Sequence, residues 1–475
     1  MMNPESHATQ LVVVGGGPGG YAAAFLAADL GIHVALVDPE ANPGGVCLYR
    51  GCIPSKALLH VAKLIEESRL AANWGVKFAE PQIDVSKLRA WKDSVVGKLT
   101  GGLGQLAKQR NVKYIRGTAS FLDSKTLSIK NQSGEEKLTF QHAILATGSR
   151  PATIPGVPQD SPRVLDSTSA LELADVPKSL LVVGGGYIGL ELGTVYAALG
   201  SKVSVVEMED GLMPGADRDL VNVVAKRLEK VFQSIMLRTK VVEMKDAGKG
   251  IRVKFEGQGA KNGDQTYEKV LIAVGRKPNS NIPGLGNTKV IVNSRGYVQV
   301  NAQRQTTDPN IYAIGDVAGE PLLAHKASHE GRAAVEAIAG HKVAFEPRAI
   351  PAVVFTDPEI AWCGLSETEA QKQGRPVRVA KFPWGASGRA ATLDRTDGLT
   401  KLVIDPETEH VLGVGIVGVG AGDLIAEGVL AIEMGALAKD IELTIHPHPT
   451  LSETVMQAAE TYYGTATDFY RPKKN

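Results

Sequence analysis

Two short stretches constrain this chain more than anything else in it, because they are the same stretch written twice. Leu11 to Val14 is an apolar run leading into Gly15-Gly16-Gly17-Pro18-Gly19-Gly20, and Leu180 to Val183 leads likewise into Gly184-Gly185-Gly186-Tyr187-Ile188-Gly189. Each is followed by a helix-forming segment, Tyr21 to Leu30 in one copy and from Leu190 in the other. A second apolar run then ends in an acid: His33 to Val37 before Asp38, and Lys202 to Val206 before Glu207. First glycine and acid are 23 residues apart in both copies. Strand, glycine loop, helix, strand and acid together bind a dinucleotide. Gly15 and Gly184 serve the tight turn, Gly17 and Gly186 the approach of a pyrophosphate, Gly20 and Gly189 the packing of helix on strand, and Asp38 and Glu207 the ribose hydroxyls. Backbone N–H groups at the helix N-terminus stabilise the phosphate charge. The chain is therefore expected to be α/β, with two Rossmann-like nucleotide-binding domains.

The repetition runs further. The first unit continues through a hairpin-like pair, Thr126 to Ile129 and Ala143 to Ala146, to Gly148-Ser149-Arg150-Pro151. The second continues through Ile251 to Phe255, a turn with Asn262-Gly263 and Val270 to Ala273, to Gly275-Arg276-Lys277-Pro278. From the first glycine to Gly148 is 133 residues, and from Gly184 to Gly275 only 91. The extra length lies in the copy that holds Gly44-Gly45-Val46-Cys47-Leu48-Tyr49-Arg50-Gly51-Cys52-Ile53-Pro54-Ser55-Lys56. On an ideal helix, residues five apart are rotated by about 140° and lie roughly 8 to 9 Å apart, beyond disulfide reach. A bridge between Cys47 and Cys52 thus needs a broken turn, which Gly51 can supply, with Pro54 in the first turn of a fresh helix. Two free thiols at a helix start is the competing reading of the cysteines alone.

Composition narrows the setting. The 475 residues suffice for about three domains. Lys plus Arg number 52 against 51 for Asp plus Glu, so nothing in the charge balance points to nucleic acid or an anionic membrane as partner. Met1 to Gln10 shows neither a secretory nor an Arg-rich transit pattern, and no uncharged apolar run reaches spanning length. A cytoplasmic protein is expected, in which a bridging pair of cysteines is catalytic rather than structural. Glu207, with Met208 and Glu209 after it, repels a 2′-phosphate, so the second unit should take NAD rather than NADP. The first unit, adjoining the cysteines, is the natural home of a flavin, which exchanges electron pairs with both a dithiol and a nicotinamide. No metal site is expected.

Taken together, Gly51 to Lys56, the two glycine loops, Tyr312-Ala313-Ile314-Gly315-Asp316-Val317, Phe355-Thr356-Asp357-Pro358-Glu359-Ile360-Ala361 and His446-Pro447-His448-Pro449-Thr450-Leu451-Ser452-Glu453 resemble the two-cysteine pyridine nucleotide-disulfide oxidoreductases over nearly the whole chain. Within that family the chain is most similar to the members that oxidise protein-bound dihydrolipoamide to lipoamide through a disulfide and FAD, with reduction of NAD to NADH. The resemblance implies an FAD domain in two segments (residues 1–152 and 277–348), an inserted NAD domain (153–276) and a C-terminal α+β dimerisation domain (349–475). It implies that Cys52 faces the flavin and Cys47 exchanges with substrate, and that Lys56 and Glu191 form a pair beneath the flavin. It makes Asp316 the acid on the ribityl chain, which a helix N-cap would also explain. It makes His448 the acid–base and Glu453 the carboxylate orienting its ring, although Thr450 to Glu453 also reads as a capping box. Pro447 and Pro449 restrict the segment that carries His448, and His446 and Cys363 are read as structural. In the family the histidine serves the other subunit, which implies a homodimer, with a lipoyl-bearing acyltransferase or carrier protein of a 2-oxo acid dehydrogenase or glycine cleavage system as partner.

Two positions depart from the family pattern. Arg50 puts a positive charge near Cys47, where it would favour thiolate, or else points to solvent, and Tyr187 resembles an aromatic gate of the glutathione-reducing branch. The alternatives are an NAD(P)H-dependent disulfide reductase of that branch and a flavin-binding redox sensor. Glu209 after Glu207, and a tail ending at Asn475 without cysteines, speak against the NADP-dependent and C-terminal-cysteine reductases.

Overall fold

The computed structural model describes residues 6–260 and 263–470. The start of the N-terminal segment read for a leader, Asn262 of the expected turn and the tail at 471–475 lie outside the described residues.

The first apolar run becomes the strand Ser6–Val14, whose Leu11, Val12 and Val13 are fully buried, as a central parallel strand demands. It pairs in parallel with Val34–Asp38 on one side and Gly134–Leu145 on the other, and Lys113–Arg116 and Ile311–Ala313 complete five parallel strands. Gly134–Leu145 forks: its first half, not the expected Ala143 end, pairs antiparallel with Thr126–Asn131, while its second half stays in the parallel core. The second copy builds its own five-stranded parallel core, in the order Ser234–Met236, Lys202–Val206, Ser179–Val183, Lys269–Ile272, Val164–Leu165. The cores differ in the origin of the fifth strand. In the second copy it precedes the unit, whereas in the first it arrives at 311–313, after the entire second copy has been threaded through.

A second expected pairing is corrected. Ile251–Gly257 does not return through the Val270 segment but pairs with Gln265–Tyr267, in a separate three-stranded sheet with Thr239–Asp246. The chain breaks at Glu268, whose N–H turns to Ser179 Oγ, and only then does Lys269–Ile272 enter the parallel core. The twin Gly-x-x-Pro ends meet each other: Ser149–Pro151 and Arg276–Pro278 form a two-stranded antiparallel link between the units.

In both loops the first glycine is obligatory. Gly15 (φ +107°) and Gly184 (φ +108°) lie in the left-handed region, and a side chain on either would run into the carbonyl of Ala146 or Ala273. The helices Pro18–Asp29 and Ala324–Ile338 pack closely through Gly19 and Gly331, which brings the Gly315–Val317 turn against the first glycine loop. The C-terminal region is an antiparallel five-stranded sheet, ordered Ala352–Val354, Glu359–Gly364, Val411–Gly418, Leu399–Ile404, Arg378–Pro383. Helices Ala421–Met434 and Glu453–Tyr463 share its core around Phe382 and Trp384. Among the described residues no helix is long and apolar enough to cross a membrane.

Candidate active site

The cysteines sit at a break between two helices. Gly45–Arg50 ends at Gly51 and Cys52–Leu70 begins directly after it. A Cβ on residue 51 would lie 2.8 Å from the Val46 carbonyl oxygen, so only glycine permits this tight reversal. The reversal does what a continuous helix cannot: it brings the Cys47 and Cys52 thiols into a mutual hydrogen bond. That bond holds Cys52 down to about 7, helped by the Lys56 ammonium and opposed by burial and by Glu191, while the Cys47 thiol is pushed far up. Of the two sulfurs, the surroundings of Cys52, with Lys56 one turn away, favour negative charge more than those of Cys47.

Lys56 lies one turn on from Cys52. Its Nζ meets Glu191 Oε2 at 2.7 Å, and Glu191 is almost fully buried on the helix Tyr187–Ala198 of the second unit. The cation also stands 4.5 Å over the ring of Phe355, whose backbone N–H donates to Glu191 Oε1 at 2.9 Å. Sequence reasoning found Lys56 and Glu191 but not the role of Phe355, which nothing local in its segment signals.

Cys47, Cys52, Lys56 and Glu191 line one cavity of ≈ 510 Å³ that continues past Gly148 and Asp316 to Gly15, Gly17 and Asp38. Its size and its mix of apolar wall with few polar groups suit a bound cofactor. Gly17 and Gly45 approach so closely that a Cβ on Gly45 would fall 2.5 Å from the Gly17 Cα, and the helix starting at Pro18 has no acid in its first turn. The loop is thus a phosphate-sized cradle at a positive helix end. Asp38 accepts the Gly16 N–H at 2.5 Å and the Glu40 N–H at 2.9 Å; burial pushes its carboxyl up and these N–H groups pull it down. Glu207 repeats the arrangement, accepting from Gly185 at 2.6 Å and Glu209 at 2.9 Å. Each acid first ties its own glycine loop, and each oxygen keeps a lone pair for a hydroxyl. Gly186 has nothing within 4 Å of a would-be Cβ, and the helix it opens has no acid in its first turn, so the second loop is equally open to a pyrophosphate. Gly189, by contrast, packs directly on Gly184, as Gly20 does on Gly15. The residues present fit FAD in the first unit and NAD in the second.

Asp316 lies in the Gly315–Val317 turn and accepts from Ser149 Oγ at 2.5 Å. Arg276 reaches across from the second unit to donate to Ser149 Oγ and to its carbonyl oxygen, both at 2.7 Å. Gly148 (φ +68°) and Gly275 (φ +115°) turn the chain immediately before this contact. Tyr187 opens the second fingerprint helix and lines the same cavity. The expectation for Arg50 is corrected: its guanidinium pairs with Glu40 and stacks on Tyr49, and Lys56 supplies the positive charge at the sulfurs.

The C-terminal pair lies elsewhere in the same chain. His448 Nδ1 meets Glu453 Oε1 at 3.0 Å, and Glu453 Oε2 accepts the Thr450 N–H at 2.7 Å, so one carboxylate serves both uses weighed for it. A carboxylate accepts, which puts the proton on Nδ1 and leaves Nε2 with an open lone pair. The His448 side chain is 79% exposed and is not part of the cavity wall. Exposed Leu430 and Met434 lie on the helix Ala421–Met434, Leu443 ends the helix Ala438–Leu443, and exposed Ile445 precedes His448 by three residues. Cys363 is buried and its thiol pushed up to about 12, as an inert core residue.

This constellation, a dithiol and a lysine–glutamate pair at the junction of two dinucleotide folds, defines a disulfide oxidoreductase. The chain belongs to the pyridine nucleotide-disulphide oxidoreductases: residues 9–331 match the model of that family and residues 350–459 its dimerisation domain. The family's cofactors are FAD and NAD. Over 466 residues, 98% of this chain and 97% of the relative, it is 50% identical to the dihydrolipoyl dehydrogenase of Haemophilus influenzae. Among solved structures it is similar to LpdA from Mycobacterium tuberculosis (TM-score 0.88, 25% identity, 95% of this chain and 99% of that one). It is also similar to the Cu(II) complex of the HOCl-induced flavoprotein disulfide reductase RclA from Escherichia coli (TM-score 0.85, 27% identity, 97% and 99%).

Proposed function

We propose that the chain is a dihydrolipoyl dehydrogenase, which oxidises a protein-bound dihydrolipoyl group to the cyclic disulfide and reduces NAD. The observation that carries this reading is that Cys47 and Cys52 line one cavity together with the Lys56–Glu191 pair, which continues to the first glycine loop. In the oxidised enzyme Cys47 and Cys52 are joined by a disulfide. The open Nε2 of His448 takes a proton from one dihydrolipoyl thiol. The resulting thiolate attacks Cys47, forming a mixed disulfide as the Cys47–Cys52 bond breaks and Cys52 leaves as thiolate. His448 passes its proton to Cys47 as that sulfur leaves and takes the proton of the second lipoyl thiol, which attacks the lipoyl sulfur of the mixed disulfide and closes the lipoyl ring. Lys56, held by Glu191 and Phe355, compensates the charge on Cys52. Bound FAD supplies the two-electron exchange between this dithiol and NAD. Gly15, Gly17, Gly20, Asp38, Gly148 and Asp316 are the residues we assign to holding FAD, and Gly184, Gly186, Gly189, Glu207 and Gly275 those assigned to NAD.

His448 lies outside the wall of its own chain's cysteine cavity, so the reading assigns it to the cysteine pair of a second copy. The exposed apolar side chains Leu430, Met434, Leu443 and Ile445 of the C-terminal domain are then covered in a homodimer built on that domain. The division into residues 1–152, 153–276, 277–348 and 349–475 belongs to the same proposal. So do a cytoplasmic location and a lipoyl-bearing acyltransferase or carrier protein as partner.

The test is steady-state turnover of dihydrolipoamide with NAD and with NADP. Replacing Cys47 or Cys52 by Ser abolishes it while FAD stays bound, and His448→Gln lowers it by about two to four orders of magnitude. Full activity in either cysteine variant, or turnover only with glutathione disulfide and NADPH, would assign the chain to another reaction.

A further inference from the structure

The mechanism leaves one buried imidazole without a task. His446 sits two residues before the base, its side chain only 5% exposed, between Ile445, which is 95% exposed, and Pro447. Its Nδ1 lies 2.8 Å from the Thr444 carbonyl oxygen and its Nε2 lies 2.7 Å from Glu427 Oε1. A carbonyl oxygen only accepts, so Nδ1 carries a proton. The second contact also needs a proton between nitrogen and carboxylate. Glu427 belongs to the helix Ala421–Met434, whereas Glu453, the partner of His448, opens the helix Glu453–Tyr463. The segment from Thr444 to Glu453 is therefore tied at two points to two different helices. Thr450 closes the span between them, donating to the Pro447 carbonyl oxygen at 2.7 Å.

Resting on the assignment of His448 as the base, we propose that His446 and Glu427 form a second carboxylate–imidazole pair, a positioning pair that fixes the backbone from which His448 presents its Nε2. The His448–Glu453 contact sets the ring's tautomer and rotation but leaves its backbone free to shift, because Glu453 follows only five residues later in the same segment. The His446–Glu427 contact removes that freedom, and the His446 side chain, 5% exposed, shelters its side of the contact while Glu427 is one-third exposed.

The experiment is a mutant cycle on the dimeric, FAD-loaded enzyme, read as kcat with dihydrolipoamide and as KM for NAD. His446→Asn, which keeps a donor but loses Glu427, and Glu427→Ala each lower kcat by about one to two orders of magnitude with KM for NAD unchanged. Glu427→Gln, which retains a hydrogen bond to the ring, recovers most of that loss. In a His448→Gln background the His446→Asn change costs nothing further, since it acts through the ring already removed. Hydrogen exchange in the peptide spanning residues 444–453 rises in His446→Asn while the helices on either side keep their protection. The proposal is overturned if His446→Asn lowers only thermal stability or dimer content at unchanged kcat, or if it costs the same in the His448→Gln background. A His448→Gln enzyme of normal turnover would instead remove the base assignment, and this proposal with it.

Discussion

At the scale of single residues, the chemistry turns on which of two sulfurs carries charge. Cys52 titrates near 7 because the Cys47 thiol donates to it and Lys56 stands by, so the reduced enzyme should be alkylated by iodoacetamide with a rate that rises through about pH 7. Removing the cation takes away a positive charge that favours thiolate and leaves Glu191 uncompensated, and both effects act in the same direction. Lys56→Met is therefore expected to move the midpoint upward and to slow alkylation at pH 7 by about three- to tenfold. An unchanged midpoint would mean that Lys56 does not act on the thiol. The cysteines were legible in the sequence because their motif is local, and Lys56 and Glu191 because the family resemblance pairs them. Phe355 was not, since its ring and N–H meet partners that are distant along the chain, and no periodicity marks such a closure. Arg50 was left open between a charge on Cys47 and a place in solvent, and neither reading foresaw Glu40, because proximity in sequence counts for less than a carboxylate within reach.

At the scale of elements, the two glycine fingerprints make separable predictions. A Cβ at Gly189 would press to 2.5 Å from the Gly184 carbonyl oxygen, whereas one at Gly186 meets nothing. Gly189→Ala should thus lower thermal stability together with NAD binding. Gly186→Ala should leave stability unchanged and weaken NAD binding by about tenfold, because its methyl occupies space kept for the pyrophosphate. Calorimetry of NAD binding alongside thermal unfolding separates the two. The paired strands, loops and acids were readable because spacing and periodicity repeat. The fate of the Val270 segment was not: Ile251–Gly257 had two downstream runs to pair with, and the choice rests on Glu268 meeting Ser179 Oγ in the folded core. The two uses of Glu453 were both visible in Thr450 to Glu453, and the structure shows one carboxylate serving both.

At the scale of the whole molecule, the second unit is bolted to the C-terminal sheet by a buried charge cluster that has no sequence signature. Lys401, 1% exposed, donates to Asp217 at 2.6 Å and Asp219 at 2.8 Å, while Lys381 reaches Asp219 and Glu367. Among the described residues this is the one group of acids close enough together to hold a metal ion, and two ammonium groups fill it. Against burial, which raises it, the Lys401 ammonium and the Thr368 donors hold Asp217 down to about 2. Because the folded value lies below the ordinary one, the stabilisation is complete above about pH 4 and is lost as pH falls toward 2. Lys401→Met is expected to cost about 3 to 5 kcal/mol in urea unfolding at neutral pH, by leaving buried carboxylates uncompensated. Asp217→Asn should flatten the acid limb of the stability curve, and an unaltered limb would count against this bolt.

The arrangement of two copies carries the greatest weight, since one chain holds its thiol pair and its imidazole–carboxylate pair apart. Hybrid dimers purified after co-expression of differently tagged Cys47→Ser and His448→Gln chains test this directly. Each hybrid contains one site with both cysteines and a facing His448, and one site with neither complete. Turnover at about half the wild-type rate is predicted, from two parents that are nearly inactive. Hybrids no more active than those parents would show that each histidine works within its own chain.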